Sequence, residues 1–203
     1  MVRIAHVGDF GWRKSGAFAV LGLRPVNALH TIAERDALQR AARDRRVIVE
    51  IGVAEGGSAV ELRQVIHPDG ELFLVDPFHL YRLPGPLRFG RTIAHRAVHS
   101  VERGRVTWIE DFSVRAAEGW DREIDMLFID GDHELPGVRD DWEAWTPWVR
   151  EGGIVALHDS NPAAPWIGAD YGPVQVVREA LRRPEWHLID EADSMTVLRR
   201  GAG

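Results

Sequence analysis

The sequence predicts an α/β protein built on a doubly wound, mostly parallel sheet, and three observations support this fold class. Short apolar runs rich in β-branched residues alternate with segments of helical spacing, which is typical of parallel strands buried on both faces. Several of these runs end in acidic residues or glycine. Two final runs, at 186–189 and 195–198, flank an acidic turn and indicate an antiparallel terminal hairpin. The other predicted strands are 47–51, 71–76, 105–109, a run beginning at 124, and 154–157.

Length and composition exclude several classes of protein. The 203 residues suffice for one domain with a full core, and the net charge of −6 argues against a nucleic-acid partner. Cysteine is absent, which excludes disulfides, thiolate metal sites and thiol nucleophiles. No apolar run approaches the ~20 residues that a membrane-spanning helix needs. We therefore expect a cytoplasmic protein without a membrane partner.

The fold is organised around the strand and turn from Val47 to Ser58. A dinucleotide fingerprint, Gly-x-Gly-x-x-Gly, uses its middle glycine to admit a pyrophosphate. In this register the chain reads Gly52-x-Ala54-x-x-Gly57, so the middle glycine is missing. The pattern present is instead Glu50-x-Gly52-x-x-x-Gly56-x-Ser58. It resembles motif I of the class I S-adenosylmethionine (SAM) methyltransferases, which implies that these four residues bind SAM.

The second strand ends in Asp76, twenty positions after Gly56. A carboxylate there is placed to accept hydrogen bonds from the hydroxyls of a nucleoside ribose. An NAD enzyme places an acid similarly, and a carboxylate that only caps a turn is the structural alternative. After the third strand, Asp111 or a nearby backbone group would meet the adenine of SAM. The alternative there is that Asp111 or Ser113 caps the helix that follows.

The richest cluster of titratable residues follows the strand that begins at Ile124, which reads Ile-Asp-Met-Leu-Phe-Ile-Asp-Gly-Asp-His up to His133. Such a density of ionisable groups at a strand end usually marks a functional site. A helix with a tryptophan stripe comes next, and we expect the glycine pair 152–153 to end it. That pair belongs to the run Glu-Gly-Gly-Ile-Val-Ala-Leu-His-Asp, which ends at Asp159. The stripe favours a buried core or an interface, and leaves room for a homo-oligomer.

These blocks, within residues 47–159, resemble the small class I methyltransferases related to macrocin O-methyltransferase and the cephalosporin-hydroxylase-like proteins. The resemblance implies a Rossmann-like sheet of seven strands with SAM at the strand ends. It also implies methyl transfer to an oxygen of a small-molecule acceptor, a sugar or natural product, sometimes helped by a divalent cation.

Methyl transfer to a hydroxyl needs a group that takes the proton, and His133 is the best candidate for this base. Asp130 either assists catalysis, holds the amino group of SAM, or shares a cation such as Mg²⁺ with Asp159. His158 is a further candidate ligand, although a packed histidine and a capping Asp159 are the alternatives. Metal-dependent O-methyltransferases use Asp…Asp-Asn, whereas Ser160 interrupts that pattern here and leaves the third ligand open.

We expect a methyltransferase domain at residues 25–203, starting with a helix from Pro25 to about Arg43, after an N-terminal segment at 1–24. That segment is either a lid over the ligand or an extension packed on the surface. A nucleotide-dependent oxidoreductase is disfavoured by Ala54 and by the lack of a Tyr-x-x-x-Lys pair. A non-catalytic SAM-binding module would not need the acids and histidines at the later strand ends.

Overall fold

A computed structural model of the chain describes residues 2–7, 18, 20–78 and 89–201. Two short parallel strands, β1 (Ile4–Ala5) and β2 (Val26–Asn27), form a small separate sheet. The main sheet consists of β3 (Val47–Ile51), β4 (Glu71–Val75), β5 (Arg105–Ile109), β6 (Ile124–Ile129), β7 (Val149–Leu157), β8 (Trp186–Ala192) and β9 (Met195–Arg200). Its strand order is β5-β4-β3-β6-β7-β9-β8. Only the pairings of β9 with β7 and β8 are antiparallel, so the predicted seven-stranded fold class is confirmed.

Helices cover both faces of this sheet. They are α1 (Ile32–Ala42), α2 (Gly57–Val65), α3 (Gly90–Val98), α4 (Ser113–Glu118), α5 (Leu135–Trp145) and α6 (Gly172–Ala180), with a 3₁₀ turn at Thr146–Trp148. Apolar residues of α1 to α3 pack into one buried cluster, and those of α4 to α6 pack into a second cluster. None of the helices in the described ranges is long and apolar enough to cross a membrane.

The strand order creates one switch point, beside β3. The chain runs outward from β3 through β4 to β5, and then returns to place β6 on the other side of β3. The connections before and after this point leave the sheet in opposite directions. In open α/β sheets a crevice forms there at the carboxyl ends of the strands, and ligands bind in it. The fold therefore predicts a ligand site at the carboxyl ends of β3, β4 and β6.

The first helix starts seven residues later than predicted. Val26 belongs to β2, and α1 begins at Ile32 because Thr31 and Glu34 form a reciprocal capping box. The Glu34 amide donates to the Thr31 hydroxyl at 3.2 Å, and the Thr31 amide donates to the Glu34 carboxylate at 2.7 Å. These bonds satisfy amides that the first turn leaves unpaired. The apolar residues before Thr31 had mimicked helical spacing.

The glycine pair 152–153 lies inside β7 and does not end the preceding helix, so that prediction is wrong. Gly152 adopts a φ of +72°, and the pairing of β7 with β6 shifts register in this region. The helix itself ends at Trp145, and the 3₁₀ turn carries the chain into the strand. The glycines thus accommodate an irregularity of the sheet.

The tryptophan stripe of α5 lies in the core. Trp142 and Trp145 are buried, and their rings contact Trp186 and Trp120 at centroid distances of 5.0 and 5.2 Å. The prediction of a core role is confirmed. Because these two side chains are buried within the subunit, they are not exposed to a second one, and the predicted homo-oligomer stays a prediction.

Two predicted regions fall partly outside the described residues. The N-terminal segment at 1–24 contains a polar and aromatic group, Asp9, Phe10, Trp12 and Arg13, which belongs to the undescribed range 8–17. Tyr81, in the expected loop after Asp76 on the strand-end side of the sheet, belongs to the undescribed range 79–88. The described part of the N-terminal segment pairs β1 with β2. Its role as a lid or a surface extension stays a prediction.

Candidate active site

A cavity of about 610 Å³ opens at the carboxyl ends of β3, β4 and β6. Its volume lies within the range of ~300–1,000 Å³ that is usual for small-molecule and cofactor sites. Four predicted site residues on three separate strand ends or turns line it together: Gly52, Ser58, Asp76 and Asp130. His133 lies on the same wall. The crevice at the switch point thus brings these predicted residues together, and their roles in binding and catalysis stay predictions.

The turn after β3 depends on two glycines for different reasons. Gly52 has a φ of +86°, and a Cβ there would lie 2.1 Å from the carbonyl oxygen of Asp130. Gly56 caps α2 with a φ of +80°, and a Cβ there would lie 3.1 Å from the Cα of Ala94 in α3. The first glycine therefore lets β3 and β6 approach, and the second lets α2 and α3 approach. Gly57 and Ser58 then open the amino end of α2 towards the cavity.

Asp76 holds the same turn through its carboxylate. One oxygen accepts hydrogen bonds from the amides of Val53 at 2.9 Å and Ala54 at 3.1 Å. The other accepts from the amide of Phe78 at 2.7 Å. Asp76 thus supports the turn as well as facing the cavity, so the structural and cofactor-binding interpretations are compatible.

Replacing Asp76 with alanine is expected to weaken SAM binding by about 1–3 kcal/mol, because the turn amides lose a partly buried acceptor. Isothermal calorimetry with SAM measures this directly. Asp121→Ala, at an exposed position, is the matched control and should bind like the wild type. An unchanged affinity in a folded Asp76→Ala protein would remove Asp76 from the cofactor site.

Glu50 lies beneath the cavity and does not line it. Its side chain is fully buried, the Ser58 hydroxyl donates to Oε1, and Oε2 has no hydrogen-bond partner among the described residues. Burial raises the pKa of Glu50 well above its usual range; the Ser58 bond opposes this, and the charges of Asp130 and Asp76 add to it. The buried carboxyl group of Glu50 thus supports Ser58 from below. Direct contact of Glu50 with SAM stays a prediction.

At the turn after β5, the lining residues are Phe112, Ser113 and Val114. Asp111 is not among them, because its carboxylate accepts from Arg115 and from the Phe112 amide. Its adenine-binding role stays a prediction. The alternative, that Asp111 or Ser113 caps α4, is wrong: the cap residue is Phe112, which makes no side-chain cap bond.

Asp141 of α5 was not predicted from sequence, yet it lines the cavity and accepts a hydrogen bond from the Ser113 hydroxyl. Burial raises the pKa of Asp141 to about 6. Little in the local pattern marks this residue, since an acid beside Asp140 in a helix usually faces water.

His158 occupies the space between two carboxylates. Its Nδ1 lies 3.1 Å from Asp130 Oδ1 and 3.6 Å from Asp159 Oδ2. Its Nε2 lies 3.5 Å from Glu34 on α1, a third acid that the sequence analysis had not connected with the site. Burial alone would lower the pKa of His158, but Asp130, Glu34 and Asp159 outweigh it and raise the pKa well above the usual range. The surrounding carboxylates thus favour the protonated, positively charged form of His158.

His133 pairs with Asp159 at the edge of the cavity. The distance from His133 Nε2 to Asp159 Oδ2 is 3.2 Å, and the His133 ring lies 5.6 Å from the Tyr171 ring. The hydrogen bond to Asp159 raises the pKa of His133 above its usual value, although partial burial opposes this. Ser194 donates to the other Asp159 oxygen at 2.9 Å and holds the carboxylate. The predicted residues therefore meet in space as a histidine–aspartate pair.

The donors present do not fit Mg²⁺ well. Asp130, His133 and His158 offer one ligand atom each within 4.8 Å of one another, so two of the three donors are imidazole nitrogens. Mg²⁺ prefers oxygen ligands in an octahedral set. The Asn161 side-chain oxygen, which the metal-dependent pattern would recruit, accepts from the Ala163 amide at 3.0 Å. The metal-ligand roles of Asp130, Asp159 and His158 stay predictions.

Comparison with known proteins identifies the family. The methyltransferase domain family matches residues 49–160, which is more than half of the chain and includes the turn, Asp76, Asp130 and Asp159. The chain belongs to the methyltransferase domain family. This assignment replaces the oxidoreductase alternative.

Solved structures with the same fold include SAM-dependent enzymes. The O-methyltransferase TomG from Streptomyces achromogenes, in complex with SAM, is 17% identical with a TM-score of 0.66, and the match covers 92% of this chain and 88% of that one. A protein described as an O-methyltransferase from Klebsiella pneumoniae is 20% identical with a TM-score of 0.62, over 87% and 84% of the two chains. A protein described as an rRNA methylase from Clostridium thermocellum is 13% identical with a TM-score of 0.59, over 82% and 95%.

At these identities the structural matches establish the fold, while the family match establishes a methyltransferase domain. The cofactor of this methyltransferase fold is SAM. The finer resemblance to the macrocin O-methyltransferase group stays a prediction.

Proposed function

We propose that this methyltransferase domain transfers the methyl group of SAM to a hydroxyl oxygen of a small molecule, with His133 as the general base. The observation that carries the proposal is the His133–Asp159 pair at the rim of the cavity that also contains the glycine turn. A base is needed at this position because an alcohol is a poor nucleophile near neutral pH.

The hydrogen bond to Asp159 selects the tautomer of His133. In the neutral ring, Nε2 carries the proton and donates to the carboxylate, so the lone pair is on Nδ1. Asp159 also makes the imidazole more basic, as the direction of its pKa shift indicates. Neutral His133 can then accept the hydroxyl proton. When bound, SAM supplies an electrophilic methyl group on a positively charged sulfur.

Asp130 is proposed to hold the amino group of SAM. It lines the cavity at the end of β6, and its carboxylate is fixed from behind by His158. Because His158 is buried and charged, it orients Asp130 without reaching the cavity itself. The turn of β3 and Asp76 would hold the nucleoside on the other side of the switch point.

The charge of the cavity supports a small acceptor over a nucleic acid. A phosphate backbone is bound by arginine and lysine, whereas the described residues that line this cavity include no basic side chain except His30 and His133. The acidic lining residues are Asp76, Asp130, Asp132, Asp140 and Asp141. This acidity and the net charge of −6 disfavour RNA as the methyl acceptor, although the fold is similar to that of a protein described as an rRNA methylase.

The proposal is tested with methyl-labelled SAM and three sets of acceptors: hydroxyl-bearing sugars and natural products, amine analogues of the same compounds, and ribosomal RNA. Label is expected in the hydroxyl compounds. Transfer to RNA or only to amines would contradict it. SAM binding without transfer to any of the three would favour the non-catalytic binding module.

Turnover is expected to need no added Mg²⁺, because the His158 imidazolium already lies between the two carboxylates that would share the ion. The measurement compares kcat of protein dialysed without chelator, in the presence and absence of millimolar Mg²⁺. A strict requirement for Mg²⁺, with a higher Mg²⁺ concentration needed by Asp159→Asn, would instead show that the acids bind a cation.

A further inference from the structure

A second cluster of ligand-type side chains lies outside the proposed methyl-transfer residues. His6 Nε2 lies 2.7 Å from one carboxylate oxygen of Glu61, and His30 Nε2 lies 2.5 Å from the other. The exposed fractions are 8% for His6 and 1% for each of the other two residues. We call these three residues the His6–His30–Glu61 cluster. Its donor atoms all lie within 4.8 Å of one another.

The charge of this cluster needs an explanation. Among the described residues, no arginine or lysine forms an ion pair with Glu61, and its carboxylate oxygens bond only to the two imidazoles. If both rings are neutral, a carboxylate charge is buried without a cation, which is costly in a protein interior. A divalent ion at the convergence of the three donors would remove this cost.

The backbone brings the three donors together before any ion binds. His6 follows β1 and His30 follows β2, and these parallel strands are joined by bonds from Ala28 N to Ala5 O at 2.9 Å and from Val7 N to His30 O at 3.1 Å. Glu61 projects from α2, the helix that follows the cofactor turn. Donors on three ordered elements lose little conformational freedom when they bind a metal.

The donor chemistry selects the class of metal. Two imidazoles and one carboxylate suit Zn²⁺ and neighbouring first-row ions, whereas Mg²⁺ and Ca²⁺ take oxygen ligands. We propose that His6 Nε2, His30 Nε2 and Glu61 bind a zinc-type divalent transition-metal ion that ties the β1–β2 pair to α2. His30 also lines the SAM cavity, so the ion fixes part of its wall.

The test measures metal content. Purified protein is stripped with a chelator, dialysed, loaded with Zn²⁺ and desalted, and its metal is measured by mass spectrometry. About one ion per chain is expected in the wild type, and Co²⁺ in its place should give visible absorption typical of nitrogen and oxygen ligation. His6→Gln and Glu61→Gln should lose the ion. The matched control is His67→Gln, a histidine outside the cluster on the turn after α2, which should keep it.

A separate variant distinguishes this cluster from the other group of ligand-type side chains, Asp130, His133 and His158. His133→Gln should retain the ion, because His133 belongs to the Asp130 side of the cavity. Zn²⁺ should also raise the Tm of the wild type and of His67→Gln but not that of folded His6→Gln. Affinity should fall at acidic pH, because metal-binding nitrogens must be unprotonated. The proposal would be overturned if the wild type retained no Zn²⁺. It would also be overturned if His133→Gln lost the ion while His6→Gln kept it.

Discussion

His133→Ala is expected to lower kcat by ~10²–10⁴ while SAM affinity stays nearly unchanged, since general-base catalysis typically contributes that much. His133 lies at the rim of the cavity and is partly exposed, so its removal should cost little folding free energy. Single-turnover rates measure the chemical step, and calorimetry measures SAM binding. Rapid transfer by His133→Ala would contradict the assignment.

The buried histidine provides the comparison. His158→Ala leaves Asp130, Asp159 and Glu34 without their shared cation, so it should lower the free energy of unfolding more than His133→Ala does. Urea denaturation measures both values. If His158→Ala is folded and inactive while His133→Ala turns over normally, the base has been assigned to the wrong histidine.

The pH profile tests the pairing of His133 with Asp159. The neutral ring is the active base, and its pKa is raised above the usual ~6.5. Activity should therefore rise with pH through a value above ~6.5 and reach a plateau beyond it. Asp159→Asn removes the charge that raises this pKa, so the rising limb should move to lower pH. A rising limb that does not move would show that Asp159 does not set the pKa of the catalytic base.

Gly52→Ala is expected to destabilise the fold by about 3 kcal/mol or more and to abolish measurable SAM binding. The new Cβ would meet a backbone carbonyl at 2.1 Å, and backbone cannot move aside as a side chain can. The φ of +86° adds strain that an alanine cannot relieve locally. Urea denaturation and calorimetry measure the two effects.

Gly119→Ala is the matched control for this change. Nothing lies within 4 Å of a Cβ at Gly119, and its φ of −98° is ordinary for alanine. Its stability should stay within about 0.5 kcal/mol of the wild type. A Gly52→Ala protein as stable as this control would mean that β3 and β6 do not approach as closely as described.

The fold class and the location of the site could be predicted because they depend on local patterns. Buried strands are recognised by consecutive apolar residues, and the carboxyl ends of parallel strands meet at one edge of the sheet. Gly52, Asp76 and Asp130 each follow such a strand directly, so their meeting around one cavity required no knowledge of distant contacts.

Boundaries and secondary roles were less predictable, because they depend on competition between local signals. The apolar spacing before Thr31 suggested an early helix, but the capping box and the pairing of β2 with β1 placed its start at Ile32. The glycines 152 and 153 suggested a helix end, but they serve an irregular strand. Hydrophobic spacing and glycine positions cannot decide such element boundaries, because the outcome depends on which strand pairs alongside.

Sequence alone thus determined a class I methyltransferase fold, the glycine turn after β3 and the set of strand-end acids and histidines. Only the tertiary structure decided which of these groups share a proton or a charge. Glu34 lies 124 positions before His158, and Glu61 lies 55 positions after His6, yet each pair is in contact. Pairing over such separations is set by how the helices pack on the sheet, and no local pattern in the chain encodes it.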